Sequence, residues 1–143
     1  MTVPRRLCTF LLDGLYFGID VHAVQEVLRY QKMTRVPLAS PVVRGLINLR
    51  GQIVTAIDLR RRLELGERPA DQRPMNVVVS TPDGPVSFLV DDIGDVLSMD
   101  PALFELPPPT LRGVARELIV GAYKLPDRLL LVLDPATVLA RAA

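Results

Sequence analysis

Groups able to do acid–base or nucleophilic chemistry are few in this sequence. His22 is the sole imidazole among 143 residues, and it stands four residues before Glu26. On a helix that spacing puts both side chains on one face, an arrangement open to a general acid–base pair. A solvated polar helix face accounts for the same spacing with fewer assumptions. Cys8 is the only thiol, and it lies in an apolar strand pattern beside Phe10 and Leu12; we read it as a small hydrophobe in preference to a nucleophile. The segment DDIGD carries Asp91, Asp92 and Asp95, but it lacks the alternating oxygen ligands and distal glutamate of a calcium loop. These carboxylates read as strand-end and turn residues, and we expect neither a metal nor a cofactor. No glycine-rich phosphate loop occurs. The run Arg60-Arg61-Arg62 is the only basic cluster; with Asp58 and Glu64 around it and no aromatics for base stacking, it reads as a solvated helix face, with nucleic-acid binding as the alternative.

The elements that must carry these groups are mainly strands. LCTFLL and LYFGI flank Asp13-Gly14, and GLINL and QIVTAIDL flank Arg50-Gly51; both dipeptides suit tight two-residue hairpins. NVVVST and VSFLVD flank Pro82-Asp83-Gly84-Pro85, and ELIVGAY and RLLLVLD flank Lys124-Leu125-Pro126-Asp127. With shorter strands over 33–36 and 93–98, these signals predict about ten strands. Helices are expected over 21–29, capped by Asp20, for one turn after Ser40-Pro41, over 59–65 ending at Gly66, and over 136–141 after Asp134-Pro135. The polar stretch 67–74 reads as a loop, and Pro107-Pro108-Pro109 as a stiff extended connector. Ten strands in so short a chain fit two small barrels, or one compact barrel with an extension.

Bulk composition excludes several classes. Apolar residues make up 49% and charged residues 23%, with a net charge of +1, so nothing attracts the chain globally to nucleic acid or anionic lipid. No apolar run is long enough to span a bilayer. The opening stretch reaches Asp13 too soon for a secretory signal, and a single cysteine forbids an internal disulfide and fits a reducing compartment. What remains is a charged arginine at the tip of a hairpin that is apolar on both faces, together with a polar-faced helix over 21–29. That combination suits protein recognition, because a guanidinium pairs with carboxylates while its stem packs on apolar surface.

The segments FGIDVHAVQEV (17–27), TRVP (34–37), VRGLINLRGQIVTAIDLR (43–60), FLVDDIGDVL (88–97) and the terminal GAYKLPDRLLLVLD together resemble the CheW family of chemotaxis adaptors, in the expected order over nearly the whole chain. The resemblance implies an all-β fold of two SH3-like five-stranded β-barrels packed around a shared core with a few short helices, making residues 1–143 one CheW-like domain. It implies a non-catalytic cytoplasmic adaptor, recruited to membrane-associated receptor arrays without inserting into the membrane. Such an adaptor couples chemoreceptor tips to the regulatory domain of the histidine kinase CheA, with no nucleic-acid partner. Carried over position by position, Val24, Glu26, Gly45, Arg50 and Val96 fall on the receptor side; no local motif marks a kinase surface. Glu26 and Arg50 are suited to a charge-assisted pair, with Arg50 serving either as contact or as brace. A single-partner competitor, or an adaptor in a surface-motility or pilus pathway, is the alternative within the family. The sequence departs from the family pattern at Thr55, where proline is common after NLRG.

Overall fold

Two of the predicted turns set the geometry of everything around them. In the computed structural model, which describes residues 3–140, Asp13 and Gly14 have φ of 50° and 77°, and Arg50 and Gly51 have 51° and 87°. Two successive left-handed residues match the right-handed twist of paired strands. Each dipeptide therefore closes a two-residue hairpin, between Leu12 and Leu15 in one case and Leu49 and Gln52 in the other.

Ten strands form: β1 (Arg6–Leu12), β2 (Leu15–Asp20), β3 (Val24–Leu28), β4 (Val43–Leu49), β5 (Gln52–Asp58), β6 (Met75–Val79), β7 (Val86–Val90), β8 (Asp92–Ser98), β9 (Ile119–Lys124) and β10 (Leu129–Leu133). They make two five-stranded, SH3-like sheets ordered β8-β1-β2-β10-β9 and β3-β6-β7-β5-β4. Each sheet contains one parallel pair, β2–β10 and β5–β7, among antiparallel neighbours. The second sheet is built from contiguous chain, whereas the first is completed only after the chain returns at β8.

The near-continuous apolar strands follow from burial on both faces. Along β10, Leu131 and Leu133 enter a cluster shared by the two sheets, while Leu130 and Val132 enter a smaller cluster of the first sheet. Along β6, Val77 and Val79 join the shared cluster and Val78 joins a cluster of the second sheet with Ile47, Leu49 and Val54. Phe10, Phe17 and Phe88 are fully or almost fully buried in the shared cluster, with the Phe10 and Phe17 ring centroids 6.0 Å apart. Among the described residues three short α-helices complete the fold: α1 (Leu59–Arg62), α2 (Gly113–Leu118) and α3 (Pro135–Ala140). The expected helix over 136–141 is thus α3; position 141 lies outside the described residues.

Several expectations are corrected. Residues 21–29 are not a helix but a 3-10 turn, Val21–Ala23, followed by β3. Asp20 does cap that turn, its carboxylate accepting the His22 N–H at 2.9 Å. The alternation of β3 is half-buried at Val24, Glu26 and Leu28 and exposed at Gln25 and Val27. A carboxylate at the inward position and a valine at the outward one disguise a period of two. Residues 33–36 contribute a single bridge, Thr34 to Leu46, with reciprocal bonds of 2.8 Å. Ser40-Pro41 opens a turn closed by Val43 N–H on Ser40 C=O at 2.9 Å, not a helical turn. The helix α2 carried no start signal; its preceding Arg112 makes no side-chain cap. Thr55 lies on the interior strand β5, opposite Leu46 and Val86, without a register break.

Candidate functional site

The β4–β5 hairpin lifts Arg50 into solvent, and β3 supplies its partner. Glu26 accepts a hydrogen bond from the Arg50 guanidinium. The Glu26 side chain is 22% exposed and that of Arg50 is 70% exposed, so the carboxylate is seated in the protein while the guanidinium stays largely free to bind elsewhere. β3 and β4 are opposite edges of their sheet; this pair links β3 to the turn after β4, and the Thr34–Leu46 bridge ties β4 to the segment that follows β3. The Asn48 side chain accepts the Gly51 N–H at 2.9 Å and holds the turn. Exposed apolar side chains lie on the same elements: Ile53 just past the tip and Val27 next to Glu26.

The structure brings together only some of the expected site residues. Val24, two positions before Glu26 on β3, is half-buried and packs against the shared core. Gly45 is buried in β4 and offers a partner no side chain; a Cβ there would stand 2.6 Å from the Thr34 carbonyl oxygen. Its function in the fold is therefore to let the 33–34 segment approach β4. Val96 is half-exposed on β8, in the other sheet, opposite Cys8. The expected sharing of a helix face by His22 and Glu26 does not occur: His22 Nδ1 lies 3.0 Å from Asp20, and Glu26 is taken by Arg50. Cys8 is partly buried, and desolvation pushes its thiol above the ordinary value, away from the thiolate that a nucleophile needs.

The arginine run is the largest miss. In place of the expected solvated face, Arg60 and Arg62 are both buried. Arg60 donates through Nε to Asp91 at 2.9 Å and through Nη1 to the carbonyls of Gly66 and Glu67 at 3.0 and 3.1 Å. Arg68 also reaches Asp91, at 3.0 Å, and lies 3.6 Å from the buried Asp58. Arg62 donates to the Val138 carbonyl at 2.9 Å. Burial alone would raise the Asp91 pKa, but hydrogen bonds from Arg60 and the Asp13 amide, and the Arg60 and Arg68 charges, hold it below its ordinary value. The hydrogen bond to Asp91 in turn raises Arg60. This knot ties α1 and the 66–68 loop to the β1–β2 turn and the β7–β8 junction, so it joins the two sheets. Asp58 at the α1 N-cap, whose carboxylate accepts the Arg60 N–H at 3.0 Å, marks where the helix starts but not which of the following arginines are buried.

This arrangement offers an anchored surface guanidinium on a rigid frame and, among the described residues, no group of three or more potential metal ligands. Comparison with known proteins agrees with a binding scaffold of this shape. The family model for the CheW-like domain matches residues 6–143. The chain is 31% identical to the chemotaxis protein CheW of Bacillus subtilis over 135 residues, covering 94% of this chain and 86% of that one. It is 29% identical to Protein FrzA of Myxococcus xanthus, covering 80% and 71%. The crystal structure of the scaffolding protein TtCheW from Thermoanaerobacter tengcongensis superposes with a TM-score of 0.81 at 27% identity, covering 91% of this chain and 88% of that one. Sheet order, core and family match converge, and the chain belongs to the CheW-like domain family.

Proposed function

We propose that this chain is a non-catalytic chemotaxis-type adaptor that couples the cytoplasmic tip of a chemoreceptor to the regulatory domain of a CheA-like histidine kinase. The observation that carries this reading is the Arg50 side chain, held by Glu26 at the end of a two-residue turn and 70% exposed. Arginine in the left-handed region costs about 1 kcal/mol relative to glycine, and such local strain concentrates at functional positions. In this reading Val24, Glu26, Arg50 and Val96 form the receptor surface, and Gly45 sets the level of β4 beneath it. Membrane proximity comes through the receptor, as no described helix is long and apolar enough to cross a bilayer.

Reconstitution with the cognate receptor fragment and kinase tests the proposal. A ternary complex in which the chain is required for receptor–kinase association is the expected result. Binding to one of the two alone would replace the bridge with a single-partner competitor.

A further inference from the structure

At the other end of the β4–β5 hairpin from Arg50 lies a cavity of about 730 Å³. Arg44 and Arg50 are six residues apart on an extended strand, which separates them by roughly 20 Å, so this is a different surface from the one built on Glu26 and Arg50. Its lining includes Tyr30, Val36 and Leu38 and three arginines, Arg35, Arg44 and Arg61; the lining contains no carboxylate.

The three guanidiniums are differently engaged. Arg61 donates to the Pro41 carbonyl at 3.0 Å and lies 3.5 Å from Glu67. Arg44 is exposed and lies 3.7 Å from Asp58. Arg35 is exposed and makes no hydrogen bond or ion pair among the described residues. The neighbouring Asp58 is already shared among Arg44, Arg61 and Arg68, so positive charge exceeds negative charge around the cavity.

Leu38 adds an independent observation. Its side chain is fully exposed and its φ is +65°. A leucine in that conformation is strained, and its full exposure forgoes burial worth having. Among the described residues it joins no buried apolar cluster. Local strain of this kind persists where a bound state rewards it.

We propose that this cavity docks an acidic protein segment carrying an aliphatic anchor, with carboxylates meeting Arg35 and Arg44 and the anchor packing on Leu38, Val36 and Tyr30. Charge complementarity selects the occupant: the lining is wholly cationic and apolar, which suits a segment that alternates carboxylates with one aliphatic side chain. The proposal stands on the cavity's own chemistry and does not depend on the adaptor reading; if that reading holds, the cavity supplies a second surface on the same hairpin.

The test is fluorescence anisotropy on the full chain with a labelled peptide having glutamates and aspartates on both sides of one leucine. Its controls are a lysine counterpart, a version with serine for leucine, and a single-stranded uridine oligonucleotide. Binding of the acidic peptide is expected to weaken as salt rises from about 50 to about 300 mM. Arg35→Glu should weaken it about tenfold by placing like charge against the ligand. Leu38→Gly should weaken it about tenfold while leaving the melting temperature unchanged or raised, because glycine relieves the strained φ. Arg112→Ala, at an exposed arginine outside the lining, should leave it unchanged. Equal binding of the uridine oligonucleotide would make the cavity a general anion patch and overturn the proposal. So would wild-type affinity in both variants, equal binding of the serine peptide, or concentration-dependent self-association of the unliganded chain that Arg35→Glu abolishes.

Discussion

Arg50→Gly separates contact from brace more cleanly than alanine does. The ion pair it removes joins a side chain 70% exposed to one 22% exposed, so solvent screening limits its contribution to about 0.5–1 kcal/mol. Against that loss, glycine at φ 51° relieves about 1 kcal/mol of left-handed strain. The two terms nearly cancel, and the melting temperature should move by no more than about 3 °C in a domain of this size. Binding should behave quite differently. An anchor arginine that meets a carboxylate on the receptor is worth about 2 kcal/mol, which is roughly a 30-fold loss in affinity. The assay is thermal melting of the variant alongside titration of a receptor cytoplasmic fragment by calorimetry. Glu26→Gln supplies the second arm: it keeps the guanidinium but frees it, so the binding loss should be smaller than that of Arg50→Gly. A drop of about 8 °C or more with glycine would make Arg50 a brace. Unchanged receptor affinity in a fully folded Arg50→Gly variant would remove the residue from the interface.

Three further outcomes are expected. Asp91→Asn removes the carboxylate that Arg60 and Arg68 share and leaves them only the longer contacts to Asp13 and Asp58, so urea unfolding should show a loss of about 2–4 kcal/mol; a loss under about 1 kcal/mol would mean that the knot contributes little to joining the sheets. Asp91 has a folded pKa below its ordinary 3.8, so its stabilisation is fully present above that value and is lost as pH falls through the lower folded value. Wild-type melting temperature should therefore fall steeply below about pH 4, with a shallower acid limb in Asp91→Asn. Gly45→Ala places a Cβ against the Thr34 carbonyl and should cost about 1–3 kcal/mol, with faster hydrogen exchange at the Leu46 amide, which bonds that carbonyl at 2.8 Å; unchanged protection there would refute the close-approach argument.

The parts of the fold that sequence made legible were those in which local chemistry and tertiary position agree. Asp13-Gly14 and Arg50-Gly51 are turns on backbone grounds alone, and the strands around them follow. β3 is hidden because Glu26 faces inward to a partner far away in sequence, so its apolar pattern imitates a helix; the expected total of ten strands holds because β3 stands in for 33–36, which forms only a bridge. The Glu26–Arg50 pair itself was legible, since a family motif and simple charge complementarity both pointed to it. The buried arginines were not. A basic run beside acids looks solvated until the fold shows that Asp13 and Asp91 converge on Arg60 from two distant segments. Gly45 was legible as important but not as to kind: a glycine motif marks either a contact or a close approach, and only the position of Thr34 decides.

The chain's excursion through one sheet before finishing the other bears on how a ribosome must deliver it. β1 and β2 emerge first, yet β8 starts at Asp92 and β10 at Leu129. At roughly 5–20 residues per second, the leading hairpin waits several seconds or more with both of its edges unpaired. Meanwhile β3 to β7 emerge as an uninterrupted block and can close behind it. Nascent chains stalled before β8 should therefore present a finished sheet beside an unpaired β1–β2 hairpin, which makes that hairpin the natural target for a chaperone during synthesis.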